Sequence, residues 1–76
     1  MRNVKVNDLF APIFWKSVAT RQANGERYGQ AVFNSAYGLF PNEVGEMVAT
    51  ELDPFYNDSA VKHFLAALTN KIEDVQ

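Results

Sequence analysis

Between residues 61 and 75, apolar side chains recur with a spacing that leaves this chain little freedom. Val61, Phe64, Leu65, Leu68, Ile72 and Val75 fall at i, i+3, i+4, i+7, i+11 and i+14, with no polar residue in the stripe. That is one face of an α-helix, and a helix with one apolar face must bury it against another element. Asn57 or Asp58 just upstream has the side chain to cap its start.

The rest of the chain repeats the pattern in shorter pieces. A first helix is expected from Pro12 to Ala23, because proline suits the first helical position, where its missing N–H has no partner anyway. Phe14, Trp15, Val18, Ala19 and Gln22 then share a face, with Phe14 and Trp15 in the core. Asn7 or Asp8 could cap an earlier start that adds Phe10. Asn24-Gly25 closes the element, since both residues tolerate the left-handed conformation. In the next segment, "ERYGQAVFNSAYGLF", Tyr28, Gly29, Val32, Phe33, Ala36, Leu39 and Phe40 lie within a sector of about 140°. Arg27, Gln30, Ala31, Asn34 and Gly38 take the far side. Gly29 lies in the apolar sector, where a missing side chain lets another backbone come close. Pro41 ends the helix, Asn42 is the expected cap of a third one, and Glu43 and Glu46 suit its first turn. Val44, Met47, Val48 and Leu52 would form its apolar edge until Asp53-Pro54 breaks it. Residues 1–6 read as a short strand or an extended arm. The expected fold is all-α: a compact bundle of about four short helices forming a single domain over residues 1–76.

Composition sets the stakes of that packing. The chain has 76 residues, 47% of them hydrophobic and 13% aromatic, enough for a core but a small one. Domains of this size gain only about 3–5 kcal/mol from a single core and commonly add a staple. There is no cysteine and one histidine, so neither a disulfide nor a thiolate zinc site can serve; efficient helix packing or self-association remains, and a homo-oligomer is expected. The opening "MRNVKVND" lacks the apolar run of a signal peptide, and no segment approaches the ~20 apolar residues of a membrane span. A cytoplasmic protein is expected, with no membrane partner.

Charge is distributed unevenly around a net of −2. Residues 1–41 carry Arg2, Lys5, Lys16, Arg21 and Arg27 against Asp8 and Glu26, a balance of +3. Residues 42–61 carry Glu43, Glu46, Glu51, Asp53 and Asp58 with no Lys or Arg, a balance of −5. An acidic block argues against nucleic acid as a partner. A helix-turn-helix built from the second and third helices would offer Glu43, Glu46 and Glu51 to phosphates, which is the wrong sign.

Catalytic and metal chemistry find little support. His63 faces away from the apolar stripe of its helix, and no nucleophile or orienting carboxylate is set up beside it. Asp53, Asn57 and Asp58 cluster oxygen ligands, but their spacing does not match a calcium loop, and capping explains them more simply. The glycines follow no strand and precede no Gly-Lys-Ser or Gly-Lys-Thr, so no phosphate cradle is expected. No catalytic, cofactor or metal residue is assigned.

The aromatics of "LDPFYNDSAV" carry more information. Neighbouring side chains in a turn point in different directions, so Phe55 is expected to plug the gap between the third and last helices while Tyr56 stays near the surface. Tyr37, at the edge of the second helix's apolar sector, is a second partly exposed ring, and tyrosine is enriched at interfaces. Arg27, Gln30 and Asn34 share the outward side of the second helix. Arg27 is expected to tie down the acidic turn at Asp53–Asp58, with a partner-binding face as the rival role.

"RYGQAVFN" (Arg27 to Asn34) and "DPFYNDS" (Asp53 to Ser59), with Phe64-Leu65, resemble a group of short bacterial and phage proteins. That group combines an Arg-x-Gly-Gln helix start with an Asp-x-Phe-Tyr turn; the intervening "AYGLFPNEVGEM" departs from it. The resemblance spans about Arg27 to Leu65 and implies a bacterial or phage cytoplasmic origin and an α-helical domain, without an activity. The expected function is that of a small non-catalytic interaction protein, phage or prophage encoded, which inhibits or regulates a host protein. The candidate contact residues are Glu43, Glu46, Glu51, Asp53 and Tyr56, together with Arg27, Gln30, Asn34 and Tyr37. The alternative is a dimeric, helix-turn-helix-like DNA-binding regulator.

Overall fold

The computed structural model describes residues 12–75. The expectations for residues 1–6, Asn7, Asp8 and Phe10, and the place of the Val75 side chain in the stripe, fall outside what is described. The fold is all-α. Helix α1 spans Pro12–Ala23, α2 Tyr28–Leu39, α3 Pro41–Gly45 and α4 Val61–Val75, with a short 3-10 turn at Asp58–Ala60 leading into α4. Among the described residues no helix is long and apolar enough to cross a membrane.

The close of α1 follows from Asn24-Gly25. Gly25 takes φ 101°, its N–H bonds to the Gln22 carbonyl at 3.0 Å, and the Glu26 N–H reaches back to the Arg21 carbonyl at 3.1 Å. This pair of reversed bonds satisfies carbonyls that a frayed end would leave to water. The face α1 buries is narrower than expected and shifted. Phe14 and Val18 are buried and Trp15 is half-buried, but Ala19 and Gln22 are exposed. Ser17 takes their place, its Oγ lying 2.9 Å from Ser35 Oγ on α2.

Helix α2 is the centre of the molecule, packed against α1, α3 and the 3-10 turn. Its buried set is Gly29, Ala31, Val32, Phe33, Ser35 and Ala36, which corrects the expected sector: Tyr28, assigned inward, is exposed, and Ser35, outside the sector, is buried. Ala31, assigned outward, has 0% exposure, and Leu39, assigned inward, has 39%. A helix with neighbours on several sides buries small residues beyond its apolar stripe, because they permit the closest approach. Phe64 and Leu68 of α4, with Phe40, Val44 and Met47, complete the core around it.

Helix α3 is shorter than its apolar edge suggests. It starts at Pro41 rather than being capped by Asn42, has no side-chain cap, and stops at Gly45 with Glu46 as its C-terminal flank. Beyond it the chain turns through residues 46–52, where local side-chain bonds replace the helical ladder. Thr50 Oγ1 donates to the Met47 carbonyl at 2.7 Å and accepts the Leu52 N–H at 3.2 Å. Hydroxyls that bond their own neighbourhood in this way compete with helix. Ala49 adopts φ 64°, a conformation that a helix cannot continue through.

Candidate interaction site

The turn at residues 53–58 is built by capping bonds. Asp53 Oδ1 accepts the Phe55 N–H at 2.9 Å, and Oδ2 accepts the Ala49 N–H at 2.7 Å. Asn57 Oδ1 accepts the Ser59 N–H at 3.1 Å and so caps the 3-10 turn. Asp58 does something the sequence did not announce. Its Oδ1 accepts the N–H of Gly29, 29 residues away, at 2.8 Å. Arg27, the residue before α2, makes no capping bond of its own, so Asp58 caps α2 from across the fold.

Arg27 instead locks the turn in place. Its Nη2 donates to the Phe55 carbonyl, and its Nε lies 3.8 Å from Asp58 Oδ1. The internal link expected for Arg27 is therefore made. Gly29 permits it: a Cβ there would stand 2.1 Å from the Pro54 carbonyl oxygen and 2.8 Å from Asp58 Oδ1. Only glycine lets the turn sit this close to the first turn of α2.

This docking sets the two aromatic rings of the turn. Phe55 is half-buried and meets Phe33 of α2 edge-on, centroids 5.6 Å apart. Tyr56 points out at 84% exposure, its ring 4.8 Å from that of Phe55. The inward and outward assignments match the expectation, although Phe55 seats against α2. Tyr37 also stacks on Phe33, at 5.9 Å with an interplanar angle of 10°. Phe33 is tied to the core through Phe64 at 6.2 Å. The result is a continuous ladder, Tyr37–Phe33–Phe55–Tyr56, with both ends exposed and its middle anchored. Phe33 and Phe55 were missing from the candidate contact residues; the i, i+4 spacing of Phe33 and Tyr37 was the available signal.

The remaining candidates are scattered. Glu43 is buried, with 8% exposure, and presents almost no surface to a partner. Glu46 is held by Lys71 of α4 at 2.7 Å. Glu51 is exposed and lies in the chain just before the docked turn. Asn34 donates to Glu26 Oε1 at 3.1 Å, and Glu26 also pairs with Arg21 at 3.4 Å, so Asn34 stiffens the α1–α2 junction. Gln30 is half-buried on α2 and His63 is exposed on α4. A separate groove of about 220 Å³ between α1 and α2 is lined by Ile13, Ser17, Arg21, Asn34, Gly38 and Leu39, among others. Of the nine candidates, only Tyr37 and Tyr56 belong to the ladder itself, with Asp53 shaping the turn beneath it and Arg27 pinning that turn.

Comparison with protein-family models, with curated proteins and with solved structures finds no match for the chain.

Proposed function

We propose that this protein is a small, non-catalytic interaction module that binds another protein through its aromatic ladder, with the acidic turn alongside. The single observation that carries this reading is Tyr56, a large ring held almost fully in solvent by a turn whose backbone is fixed at several points. An exposed aromatic on a rigid support buries area in a complex at low entropic cost, which is how interface anchors work. An acidic flank speeds encounter with a basic partner. In a phage or prophage setting the bound protein would belong to the host, and binding would inhibit or redirect it.

The DNA-regulator alternative is less well supported by the geometry. Helix α3 has five residues, too few to lay a recognition face along a groove, and α2 is buried among its neighbours.

The test is site-specific photo-crosslinking from position 56, with position 66 on α4 as a control, followed by reconstitution of the captured protein with wild type and with Tyr56→Ala. A partner captured at 56, absent at 66 and lost in the variant supports the reading. Partners that bind Tyr56→Ala and Tyr37→Ala as tightly as wild type would sink it.

A further inference from the structure

The interaction reading leaves open what kind of surface the ladder takes, and its geometry and charge bear on that question. Resting on that reading, we infer that the ladder is the docking site for a short arginine-bearing peptide segment of the partner. The arginine lies over Tyr56, and an apolar side chain lies over Tyr37.

Charge specifies the first half. Residues 51–58 contain Glu51, Asp53 and Asp58 and no Lys or Arg. Among the described residues the one cation paired with them is Arg27, which meets Asp58 and the Phe55 carbonyl. Asp53 gives both its oxygens to backbone N–H groups, which orients the carboxylate without cancelling its charge. Tyr56 therefore stands exposed in a segment whose three carboxylates outnumber the one cation paired with them. A tyrosine face attracts a cation through its quadrupole, and neighbouring carboxylates add to that attraction. Arginine fits better than lysine because its planar guanidinium can stack on the ring while bonding a carboxylate.

The other end of the ladder differs. Tyr37 stacks on Phe33, next to the half-buried Phe55, and this offers apolar ring surface for an aliphatic side chain. The rings are separated by steps of 5.9, 5.6 and 4.8 Å, so at most about five residues of extended chain, at roughly 3.3 Å each, are needed to reach from end to end. A linear segment is therefore long enough to bridge the ladder. A second copy of this chain is disfavoured as the occupant, because a symmetric pairing would set the same acidic turn against itself. Nucleic acid is disfavoured by sign.

The probe is a set of synthetic peptides of about that length, with leucine at alternate positions and arginine, alanine or glutamate at one end, titrated into the isotope-labelled full chain and followed by NMR. The arginine peptide is expected to shift Tyr37, Phe55 and Tyr56 and to bind about tenfold more tightly than its alanine counterpart. Tyr56→Phe, which keeps the ring face, is expected to retain binding, and Tyr56→Ala to lose it with an unchanged spectrum elsewhere. Equal binding of the alanine or glutamate peptide overturns the arginine assignment. Shifts located away from the ladder, or no binding at all, overturn the docking site. If crosslinking from position 56 still yields a Tyr56-dependent partner in either case, the interaction reading stands and the partner presents a different surface. A concentration-dependent dimer abolished by Tyr56→Ala would assign the ladder to a second copy and overturn the inference.

Discussion

The Gly29 amide donates to the Asp58 carboxylate at 2.8 Å, joining the first turn of α2 to a loop 29 residues further along the chain. This contact helps to hold the turn that presents Tyr56 and satisfies a helix end that its own flanking residue, Arg27, leaves uncapped. Stability and the candidate interaction site therefore share a residue pair.

Removing the carboxylate should cost what the loss of a helix cap costs. Asp58→Ala is expected to destabilise the domain by about 1 kcal/mol, which in a chain of this size lowers Tm by roughly 4–8 °C. Asp58→Asn keeps an acceptor oxygen and should recover most of that loss. Thermal denaturation by circular dichroism reads both, and equal melting of Asp58→Ala and wild type would show that the contact contributes nothing.

Two glycines on α2 should respond to alanine in opposite directions. An exposed helical glycine replaced by alanine gains up to about 1 kcal/mol, and at Gly38 an added Cβ would meet nothing within 4 Å. At Gly29 the Cβ would fall 2.1 Å from a backbone oxygen, so the turn must move away, and overpacking of this kind costs about 1–3 kcal/mol. Urea denaturation should rank Gly38→Ala above wild type and wild type above Gly29→Ala. Two shifts of the same sign would contradict the close approach.

How far the sequence could be read depended on whether a feature was local. The close of α1 is carried by Asn24-Gly25, and it was legible because caps and stops act within a few residues. The outward Tyr56 and inward Phe55 followed from adjacency in a turn. Gly29 was legible as a close approach, but not what approaches it, because the partner is far along the chain. Ala31 was misplaced for a different reason. Angular sectors weight large apolar groups, whereas a central helix also buries small residues on its other sides. The α3 boundary failed because Val48 and Leu52 kept a helical spacing while Thr50 and Asp53 bonded the backbone locally. Glu43 was assigned to the surface by its charge, and its burial depends on the fold around it.

The left-handed Ala49 is a second place where one substitution should raise stability. Its φ of 64° costs an L-residue about 1–2 kcal/mol, part of which glycine returns through its freer unfolded chain. Ala49→Gly is therefore expected to stabilise by about 0.5–1 kcal/mol, and Ala49→Val to destabilise. A lower denaturation midpoint for Ala49→Gly than for wild type would indicate that the strain is absent.

Phe64 and Tyr56 should separate the core from the surface most sharply. Phe64 has 0% exposure and touches Phe33 from the core side. Its truncation to alanine removes contacts and leaves a cavity, at a cost of about 3–5 kcal/mol. That equals the whole net stability of about 3–5 kcal/mol that a core this small supplies, so Phe64→Ala should be largely unfolded at ambient temperature. Tyr56→Ala removes a ring that the fold barely contacts and should stay within about 0.5 kcal/mol of wild type. Amide dispersion in the NMR spectrum distinguishes the two directly: collapsed for Phe64→Ala, intact for Tyr56→Ala. If Tyr56→Ala also unfolded the chain, its ring would be part of the structural support, and any loss of binding in that variant would carry no information about a contact surface.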